Sequence, residues 1–390
     1  MRLNRSTVVL VLIFIVAAYF RFDFLISTNH HNSHDTVHYD KMVRQLLEDG
    51  VYAYKSEQPN AKVPPGYPVF MAIVYSVVDY KTNDPFPIIR YLQACMSLIT
   101  LALIYLISMR ISRQVVALCA MSIAAVYPPF IWINGAVLTE TLATLLLMTS
   151  IYFLLLCFEK RYRRYSVLAG LAIGLLVLTR SEFLVIVPAA YTLHLLWHRN
   201  MKSTLKLLLI ASAGIAVMLS PWFIRNLVTL HEPIISATQV NPFAAGTYPN
   251  KNYDDGLVDR KGKSQMEVAM ERLRVGFSEH TMEFVRWYTI GKLQYIYGKM
   301  FFGSGHRPLY PVIPFRYLLH QSIIVLSLLS SIFVLRRWRE PAALLVFIVV
   351  ILSLMRLAFV PEYRYNVTAM PILIIVACLL VPNLRRKSNV

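Results

Sequence analysis

Residues 29–50 read NHHNSHDTVHYDKMVRQLLEDG, and after a short loop residues 61–75 read AKVPPGYPVFMAIVY. Tyr39, Met42, Val43, Leu46 and Leu47 recur at helical spacing, Ser33 or Asp35 can cap the start, and Gly50 can end the helix. A long apolar run precedes this stretch and further apolar runs follow it. The spacing therefore predicts a short amphipathic helix lying on a membrane face. An acid at its start and a Lys-Val-Pro-Pro-Gly-Tyr-Pro turn after it make the segment the first place to look for chemistry.

Composition agrees with the membrane reading. Of 390 residues, 57% are hydrophobic and only 15% are charged, which is too apolar for a soluble chain of this size. The formal net charge of +18 could point to nucleic acid, but the basic residues fall in short clusters between apolar runs, not on one face. Such scattering is typical of the cytoplasmic loops of a membrane protein. Cys95, Cys119, Cys157 and Cys378 all sit inside apolar runs, which excludes a disulfide framework or a zinc spacing. Arg2 and Arg5 ahead of an apolar run suit a secretory signal, yet Arg21-Phe22-Asp23-Phe24 follows where a small-residue cleavage site belongs. The first span is expected to remain uncleaved.

A spanning helix needs roughly 20 mostly apolar residues. Segments 7–26, 86–109, 115–133, 138–158, 166–178, 183–197, 205–224, 317–335, 341–360 and 367–381 qualify as candidates, the fifth, sixth and tenth being short. With the N-terminus inside, the cytoplasmic loops are 110–114, 159–165, 198–204, 336–340 and the Arg385-Arg386-Lys387 tail, and every one is basic. The opposite loops are 29–85, 134–137, 179–182, 225–316 and 361–366. The short ones among these carry few Lys or Arg, and a loop beyond about 60 residues is exempt from the rule. This topology puts the polar motifs on the non-cytoplasmic face of an inner, or plasma, membrane. One integral membrane unit over 1–390 is expected, with a first outer loop at 27–85 and an irregular outer region at 225–316. Within the latter, the aromatic stretch 284–302 is expected to form an interfacial helix.

Charged residues at span ends are costly and default to functional hypotheses. On the expected outer face they are Asp35, Lys62, Glu140, Arg180, Glu182, Arg225, Glu362 and Arg364. A few acids among several cations suit a substrate that carries phosphate at the level of a lipid headgroup, where Arg binds as a rigid fork and Lys as a point charge. The motifs run in the order S-H-D-T-V-H-Y, K-V-P-P-G-Y-P-V-F, L-T-E-T-L, T-R-S-E, S-P-W-F-I-R-N and P-E-Y-R-Y-N-V-T-A-M-P. Taken together they resemble the bacterial members of glycosyltransferase family 39, in the GT-C superfamily, which includes protein O-mannosyltransferases and aminoarabinose transferases of lipid A. The resemblance covers nearly the whole chain. Each motif alone is weak, and the specificity lies in six of them in one order on one predicted face.

The resemblance implies an all-α polytopic membrane fold, a GT-C-like bundle of about ten spans with amphipathic outer-face helices. It also implies transfer of a sugar from a polyprenyl-phosphate carrier to a hydroxyl-bearing envelope acceptor, with the phosphate as leaving group. The family's acid after the first span falls on Asp35 as general base, and its second acid falls on Glu140, where many relatives have Asp. Lys62 falls on the cation that binds phosphate, and Arg180, Arg225 and Arg364 are further candidates for that role. Tyr39 and Tyr67 are candidate substrate contacts. Bland readings stand beside these: Asp35 and Glu140 can serve helix N-termini, and Arg225 and Arg364 can snorkel. His34 and His38, four residues apart on one helix face, could hold a divalent metal, although nothing nearby completes a ligand set and the transfer chemistry does not require one. A flippase of lipid-linked glycans is the alternative from another class, but it would gather polar residues at the midplane and show related halves. A non-catalytic envelope-assembly subunit is a third reading. No nucleic-acid partner is expected.

Overall fold

The protein is described here by a computed structural model, which covers residues 5–160, 162–302 and 314–381. The Arg385-Arg386-Lys387 tail, Arg2 and residues 303–313 of the expected outer region lie outside the described residues. Among the described residues every regular element is helical. In chain order the helices are α1 (Arg5–Ser27), α2 (His34–Asp49), α3 (Gly66–Val77), α4 (Phe86–Ile111), α5 (Gln114–Val126), α6 (Pro128–Trp132), α7 (Glu140–Lys160), α8 (Arg163–Thr179), α9 (Ile186–His198) and α10 (Met201–Leu230). A more irregular excursion follows, carrying α11 (Asn241–Gly246), α12 (Gln265–Glu279), α13 (Thr281–Arg286) and α14 (Lys292–Tyr297). The chain then returns through α15 (Arg316–Arg336), α16 (Ala342–Arg356) and α17 (Asn366–Cys378).

Each of the ten expected spans holds a helix, but the helices differ in reach. Helices α1, α4, α7, α10 and α15 are long and apolar enough to cross a membrane singly. The chain is a multi-pass membrane protein. Segment 115–133, expected to be one continuous span, is instead broken into α5 and α6, with a bend of 59° between them. The cause is local, because Pro128 and Pro129 open α6 and disfavour helical backbone at the residue before them. Segments 166–178 and 183–197 become α8 and α9, and the charged Thr-Arg-Ser-Glu motif runs from the end of α8 at Thr179 into a 3-10 turn at Ser181–Val185. The main core joins α4, α5, α7, α8, α9, α16 and α17 through residues such as Leu147, Ile151, Ile173, Ile186, Ile348 and Ile374, all fully buried.

The amphipathic helix forms as predicted, and its cap is Ser33: the Thr36 amide donates to Ser33 Oγ at 3.1 Å. Gly50 closes it in the left-handed region, at φ 70°. Its Met42 and Val43 are buried, and α3 packs against it. Helix α3 itself starts at Gly66, where an added Cβ would lie 2.7 Å from the Leu178 carbonyl oxygen. The glycine of the Pro-Pro-Gly-Tyr turn therefore lets the start of α3 press against the end of α8, directly beside Arg180.

The excursion is more ordered than the sequence led us to expect. Helix α12 opens with a full capping box, Ser264 accepting from the Glu267 amide while Glu267 accepts from the Ser264 amide. The interfacial helix expected over 284–302 is interrupted by a π-helical turn at Trp287–Gly291 and stops at Tyr297. Several contacts tie the excursion to the bundle. The Thr238 amide donates to Ala61 O at 2.9 Å, the Val360 amide to Pro242 O at 2.7 Å and Lys292 Nζ to Leu357 O at 2.6 Å, while Lys251 pairs with Glu362.

Candidate functional site

The break after α5 creates the site's frame. A chain that stops being helical inside an apolar bundle leaves carbonyls that need donors. Two side chains of α4 supply them: Gln93 Nε2 donates to Asn134 O at 3.0 Å and Ala136 O at 2.9 Å, and Arg90 Nε donates to Gly135 O at 3.0 Å. Thr36 of α2 adds Oγ1 to Val137 O at 3.1 Å, and Arg90 Nη2 reaches Asn32 Oδ1 at 3.1 Å. The same turn that leads into Glu140 is thus bound to the start of α2. Asp35 and Glu140, more than one hundred residues apart, are brought to one place.

Six side chains then alternate in sign. Asp35 Oδ2 accepts from Arg364 Nη1 at 2.7 Å, and Arg364 Nε lies 3.9 Å from Glu140 Oε1. The same Glu140 oxygen accepts from Arg180 Nη1 at 2.9 Å, and Arg180 Nε sits 3.3 Å from Glu182 Oε1. Glu182 Oε1 in turn accepts from Arg356 Nη2 at 3.1 Å, and that nitrogen also donates to Thr368 Oγ1 at 2.8 Å. Three carboxylates and three guanidiniums leave the row formally neutral. The row is most open at one end: side-chain exposure is 33% at Asp35 and 29% at Arg364, against 14% at Arg180 and Glu182 and 1% at Glu140 and Arg356.

The electrostatics follow the geometry. Burial by itself would raise the Glu182 carboxyl, but the charges of Arg356 and Arg180 outweigh it and hold the group below its ordinary value. For Arg364 burial opposes the charge, and Glu140, Tyr365 and Asp35 outweigh that, so the guanidinium is held more firmly protonated than usual. Burial is the main cause that pushes the Tyr39 phenol up, with Tyr54, Asp35 and Glu140 adding to it.

Because Ser33 caps α2, the Asp35 side chain is released from that duty. Only its Oδ2 is engaged by Arg364, and Oδ1 accepts no hydrogen bond among the described residues. Glu140 is the more deeply placed acid, enclosed between two guanidiniums. Arg180, with 14% of its side chain exposed, is committed to Glu140 and Glu182 and lies over the Tyr365 ring at 4.7 Å.

The remaining expected site residues separate. Lys62 is exposed and forms no ion pair among the described residues. Arg225 donates mainly to backbone: Nη2 to Tyr52 O at 2.8 Å and Nη1 to Asn60 O at 3.1 Å, with Nη1 also reaching Asn226 Oδ1 at 2.9 Å. It also lies over the rings of Tyr52 and Trp222, at 5.3 and 5.2 Å. Its motif partners Trp222 and Asn226 hold the chain beyond α10, donating to Ser236 O at 2.8 Å and Ile234 O at 3.0 Å. The Ser-Pro-Trp-Phe-Ile-Arg-Asn motif is a staple that fixes two loops, one of which carries Lys62. Tyr67 is fully buried and donates to Gln93 Oε1 at 2.8 Å, so it belongs to the frame around Glu140. Tyr39 is half-buried, its ring centroid 5.9 Å from that of Tyr54 and 5.7 Å from that of Tyr67. His34 and His38 do meet, Nε2 to Nε2 at 3.2 Å, but among the described residues no group of three His, Cys, Asp or Glu is arranged to hold a metal.

Residues 62–224 match the family model described as dolichyl-phosphate-mannose-protein mannosyltransferase. No curated protein matches the sequence. Among solved structures, the oligosaccharyltransferase AglB from Archaeoglobus fulgidus, in complex with an inhibitory peptide and a dolichol-phosphate, aligns with 95% of this chain at 15% identity and a TM-score of 0.57. ArnT from Cupriavidus metallidurans, bound to undecaprenyl phosphate, aligns with 96% at 14% identity and a TM-score of 0.57. The chain shares the fold of these two structures. It spans about half the length of the solved relatives, 50% of AglB and 59% of ArnT. The segment matched by the family model takes in Lys62, Glu140, Arg180 and Glu182, and leaves out Asp35, Arg225, Arg356 and Arg364.

Of these residues the sequence missed Arg356, because its placement inside a predicted span of 341–360 reads as membrane interior. The structure ends α16 at Arg356, which is the signal that a shorter apolar count would have given.

Proposed function

We propose that the protein moves a sugar from a polyprenyl-phosphate carrier to a hydroxyl-bearing envelope acceptor on the non-cytoplasmic face of the plasma membrane. The observation that carries this reading is Asp35: freed from capping by Ser33, fixed through one oxygen by Arg364 and open at the other. A carboxylate so held can accept a proton without losing its orientation. The acceptor O–H gives its proton to Asp35, the acceptor oxygen forms a bond to the anomeric carbon, and the bond from that carbon to the phosphate oxygen breaks. Attack opposite the leaving group makes the transfer inverting. The electron pair leaves with the phosphate, whose charge Lys62 meets as a mobile ammonium and Arg364 as the exposed guanidinium of the row. Arg180 and Glu140 position Arg364 from behind, and Arg225 positions the Lys62 loop.

The test is transfer by the purified full chain, using a panel of polyprenyl-phosphate sugars and envelope acceptors. Sugar transferred by the wild type supports the reading, and no product with any donor and acceptor pair counts against it. The face is tested separately by single-cysteine labelling from outside the cell. Cysteines at Ser56 and Asn250 are expected to react and those at Ser112 and Ser203 to be spared. The reverse pattern would put the row of charges in the cytoplasm and exclude the proposed topology.

A further inference from the structure

A second cleft, of about 260 Å³, lies in the excursion, away from the row of alternating charges and outside the segment that matches the family model. Its lining combines two tyrosines, Tyr248 and Tyr253, two cations, Arg260 and Lys263, and two amides, Asn241 and Gln265, with small apolar side chains filling the rest. The floor is rigid. Tyr248 is 8% exposed and packed against the guanidinium of Arg272 at 3.5 Å, and Arg272, itself 1% exposed, is bonded to Asp255 at 2.8 Å. Tyr253 is 43% exposed and meets Tyr248 at 5.2 Å between ring centroids, which leaves an aromatic surface open to the cleft.

The cations are not equivalent. Lys263 is engaged by Glu271 at the rim, at 2.5 Å. Arg260 is exposed, has no carboxylate within ion-pair distance among the described residues, and holds its guanidinium 5.2 Å from the Tyr248 ring centroid. A guanidinium kept at an aromatic wall with its fork unused is suited to a planar or tetrahedral oxyanion. Exposed tyrosine faces suit the C–H face of a sugar ring, and the two amides can exchange hydrogen bonds with hydroxyls. The volume falls just under the roughly 300–1,000 Å³ of drug-sized pockets, which fits a single sugar residue better than a peptide or a lipid tail. A short chain of contacts leads from the cleft towards the first site. Tyr253 lies within electrostatic reach of Lys251 and Glu362, Lys251 pairs with Glu362, and Glu362 stands two residues from Arg364.

From this arrangement we infer that the cleft binds a phosphorylated sugar unit of the acceptor, with Arg260 on the phosphate and Tyr253 on the sugar ring. The acceptor role rests on the transfer reading above; the binding of a sugar phosphate does not. The experiment measures binding of glucose 6-phosphate and of glucose to the full chain in phosphatidylcholine nanodiscs. Saturable binding of the sugar phosphate, at least tenfold tighter than glucose, is expected for the wild type. Arg260→Gln and Tyr253→Ala are each expected to weaken it about tenfold or more, and Arg260→Lys less than Arg260→Gln. Lys62→Ala is expected to leave it unchanged. Unaltered affinity in Arg260→Gln overturns the inference, and so does a loss confined to Lys62→Ala, since the probe would then be reading the donor site. Nanodiscs containing phosphatidylglycerol provide the remaining arm: if that lipid displaces the sugar phosphate through Arg260, the cleft is a headgroup site and the inference falls. Asp35→Asn should lower transfer by roughly 10²–10⁴-fold while binding of glucose 6-phosphate persists. Persistence of transfer in that variant would remove the catalytic reading and leave the cleft result standing.

Discussion

Two places in the molecule use arginine at the end of a helix, and they use it for different ends. Along the row from Asp35 to Arg356 the guanidiniums face carboxylates, with Glu140 and Arg356 nearly without solvent, so each charge is held by an opposite one. At the end of α10 the guanidinium of Arg225 faces two carbonyls and two aromatic rings, and it ties down the loop that carries Lys62. Arg225 and Arg364 looked alike in the sequence, as cations at the ends of apolar segments. The partner atoms decide what each can do: a guanidinium that neutralises a carboxylate sets charge at the site, whereas one that binds carbonyls sets shape.

The largest expected effect separates base from scaffold within the first region. Asp35→Asn keeps size and leaves the Ser33 cap intact, so folding should stay near wild type while transfer falls by roughly 10²–10⁴-fold. Turnover near normal in that variant would remove Asp35 as the base and, because Glu140 is enclosed, leave no carboxylate of the row open to an acceptor.

Next comes the buried part of the row. Arg180→Met removes a counter-charge shared by Glu140 and Glu182, and breaking a buried pair in this way costs about 3–5 kcal/mol. A large drop in thermal stability is expected, and Glu140→Gln combined with Arg180→Met should recover part of it because the pair is then removed from both sides. A fully additive double variant would mean that the two side chains do not share their energy.

The third expectation uses pH. Glu182 is held below its ordinary value of 4.5 in the fold, so the unfolded chain takes up its proton first as pH falls. The stability it contributes is present in full above that value and is lost as pH drops through it towards the folded value. A melting curve measured from pH 7 to pH 3 should therefore decline on the acid side, and Glu182→Gln should decline less steeply. Equal slopes for the two proteins would take Glu182 out of the account.

The smallest effect is expected at the staple. Arg225→Lys keeps the charge but cannot reach both carbonyls, and losing hydrogen bonds to a charged donor costs about 1.5–3 kcal/mol at most. Donor binding should weaken, and Lys62→Ala should add little on top, since Arg225 acts through the Lys62 loop. Full additivity would instead make Arg225 an independent phosphate ligand and erase the contrast between the two regions.

Much of the fold was legible because it depends on local pattern. The amphipathic spacing of Tyr39, Met42, Val43 and Leu46, the terminating Gly50 and the long apolar runs were sufficient for the first helices and for the membrane class. Segment 115–133 was misread as continuous although Pro128-Pro129 stood in it, since hydropathy outweighed the proline signal. Helix α12 was missed despite its Ser264 to Glu267 capping box, because a polar stretch inside a long loop was taken for irregular backbone.

The sequence by itself determined that this is a polytopic helical membrane protein, that an acid and a lysine follow its first span, and that charged motifs stand at the ends of its later spans. Only the tertiary structure decided which oxygen caps α2, and so whether Asp35 was free. Only the tertiary structure, too, paired Arg364 with Asp35 across 329 residues and Arg356 with Glu182 across 174, while turning Arg225 away to a pair of carbonyls. The physical reason is one of range. Helix periodicity and caps are settled within a few residues, whereas the partner of a buried charge is set by whichever opposite group the packed helices deliver within about 4 Å, and no local pattern specifies that.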